Sequence, residues 1–110
     1  MSYSCGTMTI LNGAAVSSSV AARPHFNHAK AIMIAAPAAL TQANATVQSS
    51  HDNETTWNNH QSAGADITIA QGDTATITVL GPTHFRVNTT GGNETGAKIF
   101  TVRAVEGSLF

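Results

Sequence analysis

The stretch that decides the fold class is residues 65–80, ADITIAQGDTATITVL. Apolar side chains recur here at every second position, as in Ile67 and Ile69 and again in Ile77 and Val79, with aspartate or threonine between them. A period of two is produced by the alternating faces of a β-strand, whereas a helix has a period of about 3.6. Gly72 separates the two halves and can take the positive φ of a tight turn. The pattern therefore predicts a β-hairpin across residues 65–80 with threonine-rich exposed faces.

The sequence that follows this stretch continues the strand pattern. Apolar alternation over residues 85–87 predicts a further strand after Gly81 and Pro82. Residues 88–96, NTTGGNETG, contain three glycines and no apolar side chain, so we expect an exposed loop there. Residues 97–105, AKIFTVRAV, are apolar on both faces, which favours a strand in the centre of a sheet.

The N-terminal half is rich in alanine, a weak strand former, and leaves two interpretations open for residues 28–40. An alanine-rich helix competes with a strand over residues 29–36. We favour the strand, because Pro37 would interrupt the helix. Counting all segments gives an all-β fold for residues 1–110: a single-domain β-sandwich of jelly-roll type with eight or nine short antiparallel strands. Residues 1–12 fit either the first strand or an extended N-terminal arm.

Low charge is the most unusual feature of the composition. Charged residues make up 10% of the chain, against about 25% in average proteins. The surface must then consist of threonine, serine, asparagine and exposed alanine, which lose little when another polypeptide covers them. This composition favours a component of an assembly. The net charge is −1 and the five basic residues are scattered, so we expect no nucleic-acid partner.

The sequence shows no clear membrane-spanning segment or signal peptide, and it has a single cysteine. No apolar stretch approaches the roughly 18–20 residues that span a bilayer, so we expect no membrane partner. The first residues lack the basic and apolar regions of a signal peptide, which predicts synthesis in a cytoplasm without a secretion signal. Cys5 is the only cysteine, so a disulfide within the chain and a cysteine zinc cluster are both excluded.

No motif for catalysis stands out. The chain has five histidines, at positions 25, 28, 51, 60 and 84. The spacing of His25 and His28 would suit a metal on a helix, but the flanking Pro24 favours a loop, so surface or interface histidines are the better interpretation. The carboxylates are dispersed, and there is no nucleotide-binding loop and no serine-triad signature. We therefore predict a protein that is not an enzyme, with no catalytic, cofactor-binding or metal residues and no cofactor.

Trp57 is the sole tryptophan, and its position in the sequence allows two interpretations. A tryptophan in a loop can stack on the face of a sugar, and it can also fill the end of a sandwich core. We favour the core position. A role of Trp57 and the neighbouring 51–60 loop in binding a glycan stays as the alternative.

The order of these features resembles that of a family of small jelly-roll proteins. The matching segments lie between about residues 28 and 105: AIMIAAPAAL (31–40), ATVQSSHDNETTW (45–57), ADITIAQGDTATITVL (65–80), HFRVN (84–88) and KIFTVRAV (98–105). Such proteins are encoded beside the capsid genes of tailed bacteriophages, and some are capsid cement or decoration proteins. Elements within them, Gln48, Ser50, Asp52, Trp57 and the Phe85–Val87 strand, also resemble galactose-binding-like sandwiches.

The resemblance implies a structural virion protein that binds the outer surface of a phage capsid and stabilises the shell. Its implied partners are the major capsid protein and further copies of itself, as a homotrimer, and its implied location is the capsid surface of the virion. The alternative is a carbohydrate- or receptor-binding module of a virion tail or a cell surface. The exposed faces of residues 65–80 and the 88–96 loop are the candidate contact regions.

Overall fold

Every regular element in the described part of the chain is a β-strand. The computed structural model describes residues 2–21, 29–78, 84–89 and 91–106. The strands are β1 (Ser2–Ile10), β2 (Val20–Ala21), β3 (Ala29–Ala35), β4 (Asn44–Ser50), β5 (Asn58–Asn59), β6 (Gln61–Ser62), β7 (Ala65–Asp66), β8 (Thr68–Ala70), β9 (Thr74–Thr78), β10 (His84–Thr89) and β11 (Lys98–Glu106). All their pairings are antiparallel.

Two sheets pack face to face in the strand order of a jelly roll. Sheet A has the order β1-β11-β3-β9. Sheet B has the order β2-β10-β4, with β8 and β5 both paired to β4. The short strands β6 and β7 form a separate hairpin. The eight strands β1–β4 and β8–β11 thus make the double Greek key of a jelly roll, and the predicted all-β sandwich is confirmed.

The core lies between the two sheets and is made of small and medium apolar side chains. Sheet A contributes Met8, Ile10, Ile32, Ile34, Ile77, Phe100 and Val102, and sheet B contributes Val20, Ala45, Val47, Ile69, Phe85 and Val87. Each is buried, and full burial of a valine, isoleucine or phenylalanine side chain contributes about 1.5–3 kcal/mol. Every one sits at an inward position of its strand, so the alternation in the sequence is the source of the core.

The predicted hairpin over residues 65–80 is wrong in its pairing. The two halves are strands, but β8 pairs with β4 in sheet B and β9 pairs with β3 in sheet A. The connection through Gly72 crosses from one sheet to the other, and Asp73 N–H donates to the Ala70 carbonyl within it at 3.0 Å. Ile69 and Ile77 consequently enter the core from opposite sheets.

Two strand predictions agree with the structure. Residues 29–35 form β3, a central strand of sheet A, so the helix alternative is excluded. The last described strand, β11, is also central, between β1 and β3. Residues 2–10, for which strand and arm were both open, form β1, which pairs with β11 of the same chain.

Candidate assembly surfaces

The outer face of sheet A is threonine-rich and carries little charge. Side chains at the outward positions of its four strands are Thr7, Thr9, Met33, Ala35, Thr74, Thr76, Ile99, Thr101 and Arg103. Arg103 is the only charged residue among these described side chains. A surface of this composition has little solvation to lose when another protein covers it, since interface centres are depleted of charge.

One corner of this face exposes large apolar side chains. Ile99 on β11 is 53% exposed and lies opposite Thr9 of β1. Leu11 follows the end of β1 and is 66% exposed. Single exposed apolar residues are common, but an exposed Ile99 on a face with one charged described side chain, with an exposed Leu11 just after the neighbouring strand, favours contact with a protein.

The free edge of sheet A at β9 is a second surface. Ala36 N–H donates to the Asp73 carbonyl at 2.9 Å, in the register that pairs Ile34 with Ala75. Because backbone groups alternate in an antiparallel ladder, those of Ala75 point toward β3, and those of Thr74 and Thr76 point away from it. Within the described residues, the backbone groups of Thr76 have no strand beside them on that side.

A groove runs beside this edge. It has a volume of about 300 Å³ and is lined by His60, Gln61, Ser62, Ala63, Ile67, Thr76 and Ile77. The β6–β7 hairpin forms one wall and β9 forms the other. Ile77 is buried and Ile67 is half-buried, and the surface that lines the groove is mainly polar.

Trp57 lies on the outer face of sheet B, so its predicted position in the core is wrong. The guanidinium carbon of Arg86 is 4.2 Å from the centre of the Trp57 ring. Arg86 is at an outward position of β10, between the buried Phe85 and Val87. The loop after β4 folds back over the outer face rather than over the end of the sandwich. One face of the indole is therefore already covered by a cation.

A chain of hydrogen bonds runs from Arg86 of sheet B to Asp66 of the β6–β7 hairpin. Arg86 Nε donates to Gln48 Oε1 at 2.8 Å, and Gln48 Nε2 donates to Asn59 Oδ1 at 3.2 Å. Asn59 Nδ2 then donates to Asp66 Oδ2 at 3.1 Å, and Gln61 Nε2 donates to the other oxygen at 2.8 Å. The side chains are thus held by one another, and this face differs from the threonine face of sheet A. Burial lowers the pKa of Arg86, while the charge of nearby Glu54 acts to raise it.

The loop between β4 and β5 is ordered by its own polar side chains. Asp52 Oδ1 accepts hydrogen bonds from Thr56 N–H at 2.7 Å and from the Ser50 hydroxyl at 2.9 Å. These bonds, chiefly those from Thr56, hold the pKa of Asp52 below its ordinary value. Ser50 Oγ also accepts from Glu54 N–H at 2.9 Å. Asn53 and Glu54 have φ of 62° and 71°, so these bonds hold backbone that non-glycine residues rarely adopt.

The histidines fall in separate places. His51 is exposed in the loop after β4. His60 Nδ1 is 3.0 Å from Ser49 Oγ, and its ring meets Phe85 edge-on at 5.3 Å. His84 Nε2 is 3.8 Å from Glu54 Oε2. Across the described ranges no three His, Cys, Asp or Glu side chains gather as metal ligands would. His25 and His28 lie outside the described residues.

Glu94 is a buried carboxylate that joins three loops, although the sequence predicted an exposed loop over residues 88–96. It is 1% exposed and accepts from Thr41 N–H at 2.8 Å and from Gln42 N–H at 2.9 Å. Its own N–H donates to the Ala14 carbonyl at 2.7 Å, and Gly13 N–H donates to its carbonyl at 2.8 Å. The exposed-loop prediction is therefore wrong at Glu94, and also at Asn88 and Thr89, which belong to β10 and of which Thr89 is buried, although residues 91–93 are exposed.

The backbone of Cys5 belongs to β1, at the register shift between Ser4 and Gly6. No helix in the described part of the chain has the length and apolar character needed to cross a membrane.

Comparison with known proteins gives a likeness of fold without a family. No protein-family model matches the chain, and no curated protein matches it. Among solved structures, the chain is similar to one described as "Bacillus endospore appendages form a novel family of disulfide-linked pili", with 16% sequence identity and a TM-score of 0.47 over 97% of this chain and 88% of that chain. A likeness at this level carries no argument about the function of this chain.

Proposed function

We propose that this chain is a structural virion protein that decorates the outer surface of a tailed-phage capsid as an oligomer, and that it is not an enzyme. The observation that supports this most is the outer face of sheet A, with its low charge and its exposed Ile99. The sequence resemblance to capsid decoration proteins supplies the partner, the major capsid protein, and the location, the virion surface.

The physical argument concerns desolvation. Covering a charged side chain without a partner is expensive, whereas covering threonine and alanine costs little. On the described face of sheet A only Arg103 would need a partner charge or hydrogen bonds. The four strands of sheet A offer one continuous face to a large partner such as the wall of a capsid. In this arrangement sheet B would face outward, with its polar chain from Arg86 to Asp66 in solvent.

The test uses shells assembled from the major capsid protein. The purified chain is incubated with shells and sedimented, and the melting temperature of the shells is measured. Thr101→Asp places a charge in the middle of the outer face of sheet A. Thr68→Asp is the matched control, because it places the same charge at an exposed position of β8 in sheet B. We expect the wild type and Thr68→Asp to co-sediment and raise the melting temperature, and Thr101→Asp to do neither.

Two outcomes would overturn the proposal. The first is a folded chain that leaves shells unbound at all concentrations. The second is binding to sugars on a glycan array that Trp57→Ala removes, which would favour the carbohydrate-binding alternative. Equal loss of shell binding by Thr101→Asp and Thr68→Asp would reject the sheet A face as the contact surface.

A further inference from the structure

The geometry points to a specific surface for self-association: the free edge of β9 pairs with the β1 edge of a second copy of this chain. This inference rests on the proposed function only for its expectation of an oligomer. Its evidence is the strand order of sheet A and the direction of backbone groups along β9. The partner it fits is an uncharged antiparallel strand.

The edges of the two sheets differ in how they are protected. In sheet B the edge strands β2, β5 and β8 have only two or three residues each. Short edge strands are one way in which proteins prevent unwanted pairing. In sheet A the edge strands have five residues in β9 and nine in β1. Neither contains proline or a charged residue. β9 pairs with β3 without a bulge, whereas β1 has one register shift in its pairing with β11, between Ser4 and Gly6.

The β9 edge offers donors and acceptors at regular spacing. The N–H and C=O groups of Thr74 and Thr76 point away from β3, as the register requires. An added strand would satisfy these groups as in other cases of strand addition to a sheet edge. The groove of about 300 Å³ lined by His60, Ile67 and Ile77, among others, lies beside this edge and would receive one inward side chain of the added strand.

Among the described residues, no strand pairs with the outer edge of β1 over part of its length. Near its end, Thr9 N–H donates to Ser18 Oγ and Ser18 N–H donates to the Thr9 carbonyl, both at 3.0 Å. Those bonds cover the Ile10 end of the outer edge. The part toward Ser2, which includes Cys5, is the part left for a partner strand.

The strand order gives this pairing the correct direction. Neighbours in β1-β11-β3-β9 are antiparallel, so β1 and β9 run in opposite directions. A second copy that continues the sheet therefore brings its β1 antiparallel to β9, with the same face outward. The contact joins two different edges and is heterologous, so it forms a ring when the rotation between copies closes. Three copies related by 120° would give the homotrimer.

The first test removes one backbone donor. The Thr76 N–H points away from β3, so Thr76→Pro deletes it without removing a bond of the β3–β9 ladder. Thr76→Ala keeps the N–H and serves as the matched control. Size-exclusion chromatography with light scattering should give an oligomer for the wild type and Thr76→Ala, and a monomer for Thr76→Pro. Circular dichroism of the monomer should retain the β spectrum.

The second test traps the contact covalently and does not depend on the proline variant folding. Cys5 is the only cysteine, so a cysteine introduced on β9 can form a disulfide only with another copy's thiol or with Cys5. Thr74→Cys and Thr76→Cys should give covalent oligomers on mild oxidation. The cross-link should disappear when Cys5→Ser is added at low protein concentration. Thr101→Cys, on the central strand β11, is the control and should cross-link weakly.

The outcomes separate this inference from the proposed function. An oligomer that survives Thr76→Pro, or a cross-link as strong from Thr101→Cys as from β9, overturns the edge pairing. A wild-type chain that is monomeric both in solution and on shells also overturns it, while its shell binding would leave capsid decoration standing. Conversely, edge pairing with no binding to shells would reject the capsid and keep the self-association.

Discussion

The guanidinium carbon of Arg86 lies 4.2 Å from the centre of the Trp57 ring, which attaches the loop after β4 to the outer face of sheet B. Arg86 also donates from Nε to Gln48 Oε1 at 2.8 Å. The stacking and the hydrogen bond fix the guanidinium plane, and the plane in turn fixes the indole. Since Trp57 is the only tryptophan, its fluorescence reports on this one contact.

Arg86→Ala should loosen the loop and lower the free energy of unfolding by about 1–2 kcal/mol, from loss of the cation–π contact and the hydrogen bond to Gln48. The emission of Trp57 should change at the same time, because the indole loses its covering cation. Urea unfolding followed by fluorescence and by circular dichroism measures both effects. Arg103→Ala, an exposed arginine on the other sheet, should leave the emission as in the wild type; a similar change in both variants would contradict the assignment.

The loop that carries Trp57 should also respond to acid. Hydrogen bonds from Thr56 and Ser50 lower the pKa of Asp52 below its ordinary value of 3.8. A carboxyl whose pKa is lower in the folded state stabilises the fold above its unfolded pKa, and this contribution is lost as the pH falls through the folded pKa. We therefore expect a Trp57 fluorescence transition below pH 3.8, while the sheets remain folded.

Asp52→Asn is the variant for this titration. The amide keeps one acceptor oxygen but no longer titrates, so the acid transition of Trp57 should be absent or much reduced. Asp73→Asn changes an exposed aspartate in a different turn and should retain the wild-type transition. A transition of the same midpoint in Asp52→Asn would assign the effect to another group.

Glu94→Gln should destabilise the whole fold, because it weakens a connection between three loops. The carboxylate accepts from Thr41 N–H and Gln42 N–H with one oxygen each. Glutamine replaces one of these oxygens by an NH₂ group that cannot accept, so one of the two part-buried N–H groups loses its acceptor, and we expect a loss of about 1–3 kcal/mol. Thermal and urea unfolding measure the loss, and Glu94→Ala should lose more since both donors are then unpaired.

The control for Glu94 must be a carboxylate of similar size that does not join loops. Asp73→Asn serves, since Asp73 is exposed in the turn before β9. Its effect on unfolding should be within about 0.5 kcal/mol, as for most surface substitutions. Equal losses at both positions would mean that the burial of Glu94 contributes little.

The sequence predicted which side chains enter the core better than it predicted which strands pair with each other. Alternation in residues 65–80 identified Ile69 and Ile77 as inward side chains, and both are in the core. Alternation indicates which side chains face inward, but it does not indicate to which of the two sheets a strand belongs. The same pattern arises from a hairpin within one sheet and from a connection between two sheets that face each other.

The polar contacts of Glu94 and Trp57 could not be predicted from the sequence, for a related reason. Glu94 stands in a glycine-rich polar stretch, which favours an exposed loop, and its partners Thr41 and Gln42 are more than fifty residues away. Trp57 is large and apolar, which favours the core, and its position depends on Arg86 in another strand. A local pattern contains no information on such distant partners, although an isolated carboxylate among glycines is a signal worth testing for burial.

The connection between β8 and β9 depends on a glycine, and this gives a prediction about the crossing between sheets. Gly72 has a φ of 75°, and its N–H donates to the Pro37 carbonyl at 2.7 Å. A Cβ added at Gly72 would meet no atom within 4 Å, so a substitution acts through backbone strain alone. Left-handed backbone costs about 1–2 kcal/mol for an L-residue with a Cβ, and asparagine tolerates it better than alanine.

Gly72→Ala should therefore lower the free energy of unfolding by about 1–2 kcal/mol, and Gly72→Asn should lower it by less. Gly64, with a φ of 81° and equally open space, is the matched site in the peripheral β6–β7 hairpin. Since that hairpin is separate from both sheets, its strain can be relieved by local opening, so Gly64→Ala should affect global unfolding less. If alanine and asparagine at Gly72 were equally harmful, a steric cause would replace backbone strain, and the crossing would be more tightly packed than the described structure indicates.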